Sequence, residues 1–145
     1  MAVGNMASVP QPVILYVEDE ILIQAMVLDA FEHSRFAMVT AISADEAMAM
    51  LSDPTSCIAG LITDINLNSG LNGWDVARAG RVSNSALPVI YVSGASGHDW
   101  AEQGVSGSEM IMKPFAPPSL LEAMILKIET DRKGNMLNIG EIIDQ

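Results

Sequence analysis

Basic charge is what this 145-residue chain has least of: 7 lysines and arginines stand against 18 aspartates and glutamates, a formal net charge of −11. The cations, Arg35, Arg78, Arg81, Lys113, Lys127, Arg132 and Lys133, form no stripe along which a phosphate backbone could lie, which argues against direct nucleic-acid binding. Cysteine is scarcer still. Cys57 is the only one, so no internal disulfide can form; it sits in an apolar run, where a buried, inert thiol is expected, and a reducing cytoplasm fits. His33 and His98 show no paired ligand spacing for a metal and read as surface residues. Long apolar blocks are missing too. The charge-free stretch from Val82 to Gly97 is broken by Asn84, Pro88, Gly94 and several serines, and falls short of the roughly 20 apolar residues of a membrane-spanning helix. The first 17 residues contain Pro10 and Pro12 and no basic start, so no secretory signal is expected.

What the chain does have is apolar content, 50% of its residues, enough for one domain with a sizeable core. Residues 1–11 are small, polar or proline-containing and read as a flexible N-terminal segment. From there the pattern alternates. Val13 to Val17 is a β-branched and aromatic run that stops at Glu18-Asp19-Glu20. A helix from about Glu20 to His33 follows, with Ile21, Leu22, Ala25, Leu28 and Phe31 at helical spacing. Phe36 to Ile42 is a second strand. Ser43 and Glu46 form a capping box, opening a helix that turns Ala47, Met48 and Leu51 inward and ends before Asp53-Pro54.

The third strand, apolar from Cys57 to Ile62, ends abruptly at Asp64. A glycine- and asparagine-rich loop, Asn68 to Gly73, leads into a helix from Trp74 to about Val82. Pro88 to Val92 is a fourth strand ending at Ser93, with a short helix from His98 to Gln103 after it. Met110 to Met112 is a fifth, ending at Lys113-Pro114, and Pro117 to Thr130 is the closing helix. Five strands alternating with five helices predict a flavodoxin-like, doubly wound α/β fold: a five-stranded parallel sheet of order 2-1-3-4-5 with helices on both faces. The domain spans 12–130, and 131–145 is expected as a C-terminal tail.

In that order strands one and three are neighbours, and Glu18, Asp19 and Asp64 share the crevice at their carboxyl ends. Carboxylates about 4 Å apart repel by roughly 4 kcal/mol at an effective dielectric of 20, so something must compensate. A divalent cation does so, and oxygen-only ligands favour Mg²⁺ over zinc. Lys113 is a fixed counter-charge, and Ser93 offers a hydroxyl. Such a set suits a phosphoryl group: Asp64 as nucleophile, the cation and Lys113 offsetting charge on the equatorial oxygens, Ser93 donating a hydrogen bond.

Four tetra- and pentapeptides at the strand ends, VEDE at 17–20, TDINL at 63–67, VSGA at 92–95 and MKPF at 112–115, resemble in order and spacing the receiver domains of bacterial two-component response regulators. The likeness covers about residues 12–130 and is to single-domain, chemotaxis-regulator-like members. It implies that Asp64 accepts phosphate from a sensor histidine kinase or a histidine phosphotransferase. Glu18, Asp19 and Asp64 would hold Mg²⁺ together with the backbone carbonyl of Asn66. Ser93 takes the switch position, Lys113 the lysine position, and the Lys113-Pro114 bond is expected cis. The family is a signalling rather than an enzyme family, though its members promote their own phosphorylation and dephosphorylation. The expected output surface is the fourth helix, fifth strand and fifth helix of a monomer or weak dimer in the cytoplasm.

The chain departs from the family pattern at Met110, where an aromatic switch residue is usual, and in the loop Asn68 to Gly73. The 15 residues from Asp131 are too few for an output domain, so a stand-alone regulator is expected; Leu137, Ile139, Ile142 and Ile143 could support a partner or a dimer. The alternatives are a receiver excised from a hybrid histidine kinase, or a non-phosphorylated pseudo-receiver, which commonly loses one of the key positions. A haloacid-dehalogenase-type phosphatase would need a second acid two residues past the nucleophile, where this chain has Asn66. Taken singly, Glu18 and Asp19 read as helix-capping acids, Ser93 as a turn residue and Lys113 as a surface charge. Their joint placement at strand ends is what lifts them above those readings.

Overall fold

The computed structural model describes residues 11–68, 70–95 and 97–144, with side chains described as far as residue 131. Its strands are β1 (Val13–Val17), β2 (Ala37–Ala41), β3 (Ile58–Asp64), β4 (Val89–Ser93) and β5 (Glu109–Met112). They form one parallel sheet in the expected order β2-β1-β3-β4-β5. The helices are α1 (Ile21–Phe31), α2 (Ala44–Ser52), α3 (Gly73–Ser83), α4 (Trp100–Gln103), which follows a 3₁₀ turn at Gly97–Asp99, and α5 (Pro117–Asp144).

The central strands are continuous apolar runs because both of their faces are covered. Leu15, Val17, Leu61, Val89 and Tyr91 point to one face and pack on Ala47 and Leu51 of α2 and Trp74 and Ala77 of α3. Ile14, Tyr16, Ile62, Ile90 and Val92 point to the other and pack on Val27 and Phe31 of α1 and Leu120 and Met124 of α5. Trp74 is a packing residue, its ring centroid 4.6 Å from that of Tyr91. Ser43 caps α2 by accepting from the Glu46 amide at 3.2 Å. The expected capping box is thus only half formed at Ser43, and the reciprocal one stands at α3, between Asn72 and Asp75.

Three expectations are overturned. In α1 the inward residues are Gln24, Val27 and Phe31, while Ile21 and Leu22 are 61% and 81% exposed. Only Gln24 and Asp29 of its eleven residues are polar, so apolar spacing singles out no face. The choice falls to Gln24, whose side-chain amide donates to the carbonyls of Glu18 (3.2 Å) and Ala41 (3.4 Å), tying the helix to the ends of β1 and β2. Cys57 is exposed rather than buried. Asp53 Oδ1 accepts from the amide and hydroxyl of Thr55, reversing the chain, and Cys57 leaves that turn at φ 51° before β3 begins. Finally, α5 does not stop near Thr130 but continues through Asp144. No proline follows to end it, and the glycines at 134 and 140 cost a helix only about 1 kcal/mol each. The side chains of Leu137, Ile139, Ile142 and Ile143, and residues 1–10, lie outside those described. Among the described residues no helix is long and apolar enough to cross a membrane.

Candidate functional site

The register sets Val17 beside Thr63, Asp64 beside Val92 and Ser93 beside Met112, so the carboxyl ends of β1, β3, β4 and β5 form one edge. The residues that leave these strands converge there. Glu18 is fully buried; its amide donates to the Ala41 carbonyl at 3.0 Å, and its Oε2 accepts from the Glu20 amide at 3.1 Å. Asp19 is half-buried, and Asp64 is buried. Carboxylate oxygens of Glu18, Asp19 and Asp64 all lie within 4.8 Å of one another.

Lys113 reaches this trio from the end of β5. Its Nζ is 2.9 Å from Asp64 Oδ2 and 3.4 Å from Glu18 Oε1. The Lys113 amide donates to the Ser93 carbonyl at 2.9 Å, and the Lys113-Pro114 peptide is cis. Ser93 is fully buried, and its Oγ accepts from the Ala95 amide at 3.1 Å. Asn66 is exposed in the loop that leaves β3. That loop folds back closely: the Gly73 amide donates to the Ile65 carbonyl at 2.8 Å, and a Cβ on Gly73 would stand 2.3 Å from the Asp64 carbonyl oxygen. Glycine is therefore required at 73. Neither Glu18 nor Asp19 caps α1, whose N-cap residue is Glu20, with no side-chain cap bond. His33 and His98 are exposed, as expected.

Three carboxylates share one ammonium, and the imbalance shows in the proton affinities of Glu18 and Asp64. Burial, abetted by the charge on Asp64, pushes Glu18 from 4.5 up to about 7 in spite of the Glu20 amide bond. Burial also raises Asp64, against the pull of Lys113. For Lys113 burial acts downward, but the hydrogen bond and charge of Asp64, then those of Glu18, outweigh it and hold the ammonium above its ordinary value.

A stability consequence follows. Between about pH 4.5 and 7 the folded chain keeps a proton on Glu18 that the unfolded chain releases, so the metal-free protein loses stability as pH rises through that window, by about 3 kcal/mol from this group. Urea unfolding in EDTA at pH 5 and pH 8 should show that loss in the wild type, and Glu18→Gln should diminish it, leaving the smaller part that comes from the raised Asp64. An undiminished loss in the variant would mean that another group is responsible.

Tyr16 and Gln24 belong to the site and were not singled out from the sequence. Tyr16 Oη donates to Glu18 Oε1 at 3.3 Å. The strand period of two places residues 16 and 18 on one face, a signal that was available. Gln24 had no such signal, because its burial depends on which way an almost wholly apolar helix turns.

The family model for the response regulator receiver domain matches residues 14–125. Nodulation protein W of Bradyrhizobium diazoefficiens is 27% identical over 133 residues, which are 90% of this chain and 57% of that protein, so the chain spans a little over half of this relative's length. Among solved structures, a response regulator receiver protein from Sinorhizobium medicae superposes with a TM-score of 0.81 at 28% identity, covering 86% of this chain and 99% of that one. A CheY-like receiver domain protein from Methanospirillum hungatei shares the fold, with a TM-score of 0.75 at 23% identity over 86% of this chain and 99% of that one.

Proposed function

Because the chain belongs to the response regulator receiver domain family, a signalling family, we propose that residues 12–130 accept a phosphoryl group on Asp64 from a histidine kinase or histidine phosphotransferase. The observation that carries this is the contact of Lys113 Nζ with Asp64 Oδ2, 2.9 Å, inside the carboxylate trio. An Asp64 oxygen attacks phosphorus in line, a P–O bond forms, and the P–N bond to the donor histidine breaks with its electron pair going to the imidazole. Lys113 offsets charge on the phosphoryl oxygens, and the Ser93 hydroxyl donates to one of them.

An all-oxygen donor set with surplus negative charge fits Mg²⁺, held by Glu18, Asp19, Asp64 and the Asn66 carbonyl. When bound, that ion supplies positive charge to the phosphoryl oxygens. The same groups promote the later hydrolysis of the acyl phosphate.

The signal leaves through protein contacts of a monomer or weak dimer, by way of α4, β5 and α5. Ser93 and Lys113 end β4 and β5, and the bond between their backbones couples the two strand ends. Met110, half-buried against the α2–α3 side of the core, takes the place of a rotating aromatic ring. With the phosphoacceptor, the acidic pair and the lysine all present and in contact, the phosphorylated reading is favoured over the pseudo-receiver.

A protein donor suits the surface beside the site. Ile21, Leu22 and Met26 are exposed on the first turns of α1, and a groove of about 350 Å³ lined by Ile23, Met26, Lys113, Pro114, Phe115 and Pro117 adjoins them. The reading is tested by intact mass after incubation with acetyl phosphate and Mg²⁺, or the same with EDTA. A gain of one phosphoryl group is expected with Mg²⁺ only. No gain, with no stable beryllofluoride complex either, would sink the reading. Leu22→Arg should leave labelling by acetyl phosphate within twofold of wild type while slowing transfer from a phosphohistidine protein by tenfold or more, since a charge would then be buried in the docking surface. Equal rates from both donors would place docking elsewhere.

A further inference from the structure

We propose that Tyr16 is a positioning residue for the Glu18 carboxylate, holding it in the one rotamer in which it ligates a cation; this rests on the receiver reading above. Residues 16 and 18 project from the same face of β1. The Tyr16 ring is fully buried in the cluster formed by Ile14, Val27, Phe31 and Ile62, so packing leaves it one orientation. A phenylalanine would fill that space equally well. What the tyrosine adds is a hydroxyl, which is costly to bury unless it finds a partner, and it finds Glu18 Oε1 at 3.3 Å.

Glu18 is thereby held from three directions. Oε1 faces the Tyr16 hydroxyl and, at 3.4 Å, Lys113 Nζ; Oε2 accepts from the Glu20 amide at 3.1 Å. Donors from β1, from the start of α1 and from the end of β5 thus converge on one carboxylate. Two oxygens offer about four lone-pair sites, which leaves acceptor capacity for a cation beside these donors. The constraint matters more for glutamate than for aspartate. Glutamate carries one more rotatable bond, and that freedom must be lost when a metal binds. The phenol removes it beforehand.

Partners that orient a metal ligand typically change metal affinity by about 10–100-fold when removed. The Tyr16 contact is long for an O–H···O bond, so an effect near the lower end, about tenfold, is expected.

The test is Mg²⁺ titration of the full chain, followed by calorimetry and by the amide resonances of residues 18 and 19, for wild type, Tyr16→Phe, Glu18→Asp and the double variant. Tyr16→Phe should raise the Mg²⁺ Kd about tenfold. In the Glu18→Asp background, where the shortened carboxylate is withdrawn from the phenol, Tyr16→Phe should change the Kd less than twofold. An unchanged Kd in the single variant overturns the proposal. So does an equal loss in both backgrounds, which a merely structural role would give. Should the phenylalanine variant not fold, Tyr16→Leu removes the hydroxyl with a residue suited to a buried strand and must give the same pattern. Wild-type protein that binds no Mg²⁺ would overturn the receiver reading itself; wild-type binding with an unaffected Tyr16→Phe would overturn only the role of Tyr16.

Discussion

Asp64→Asn will fold, and it will take up no phosphoryl group from acetyl phosphate in Mg²⁺, where the wild type takes up one. The amide has the shape of the carboxylate and can still accept a hydrogen bond from Lys113 Nζ, 2.9 Å away in the wild type, so the edge formed by β1, β3 and β4 is preserved. What it lacks is the anionic oxygen that attacks phosphorus. Stability should move in the opposite direction from activity. Burial holds Asp64 above its ordinary proton affinity, which means that its charge opposes folding at neutral pH. With one of three clustered carboxylates neutralised, the variant should unfold at a higher urea concentration than the wild type at pH 8 in EDTA. Intact mass and urea unfolding on the same two samples check both halves. Residual labelling of the variant would mean that another carboxylate is the acceptor, with Asp19 the first to examine because it shares the cluster.

Lys113→Met should slow phosphoryl uptake by about 10²–10³-fold at saturating Mg²⁺, the usual loss when a preorganised donor to developing negative charge is removed. Methionine keeps most of the apolar stem, so the wall of the groove that Lys113 shares with Pro114 and Phe115 is kept. The charge is what disappears. Lys113 is 20% exposed in its side chain, against 0% for Glu18 and 7% for Asp64, so the ammonium is largely desolvated with its partners. Breaking such a pair leaves buried carboxylates unmatched and destabilises by about 3–5 kcal/mol. At pH 5 the penalty should shrink, because Glu18, already raised to about 7, takes a proton instead. Mg²⁺ should restore more stability to this variant than to the wild type, since the ion then supplies the only positive charge in the cluster. Thermal unfolding with and without Mg²⁺ at pH 5 and pH 8 distinguishes this from a packing defect, which neither pH nor Mg²⁺ would relieve. Normal uptake in the variant would remove Lys113 from the chemistry.

The strands that carry the site were legible because each is an apolar run closed by polar residues: Val13–Val17 before Glu18, Ile58–Ile62 before Thr63 and Asp64, Val89–Val92 before Ser93. A strand covered on both faces has to be apolar throughout, so its end shows as a change of character in the chain. Helix α1 was legible as a helix but not in its orientation. Ile21, Leu22 and Met26 look like core residues and are exposed, while Gln24 looks like a surface residue and is buried, because its amide donates to the Glu18 carbonyl and adds a second bond to the Ala41 carbonyl, which the Glu18 amide already engages. Cys57 failed for a related reason. The Asp53 side chain organises a turn that carries the cysteine outside the sheet, and hydrophobicity does not register where a turn ends.

By itself, then, the amino-acid sequence determined the alternation of five strands and five helices and the polar residues that close the strands, Glu18, Asp19, Asp64, Ser93 and Lys113. These follow from local patterns, and right-handed crossovers make the sheet parallel with helices on both faces, while its order, β2-β1-β3-β4-β5, is what gathers those residues at one edge. Tertiary structure alone decided the rest. It set Lys113 Nζ 2.9 Å from a carboxylate 49 residues earlier in the chain, buried Glu18 so deeply that its proton affinity rises, turned Gln24 inward and aimed the Tyr16 hydroxyl at Glu18. Distances between side chains, and the loss of water around a charge, depend on every element packed about them, and no local stretch of sequence encodes either.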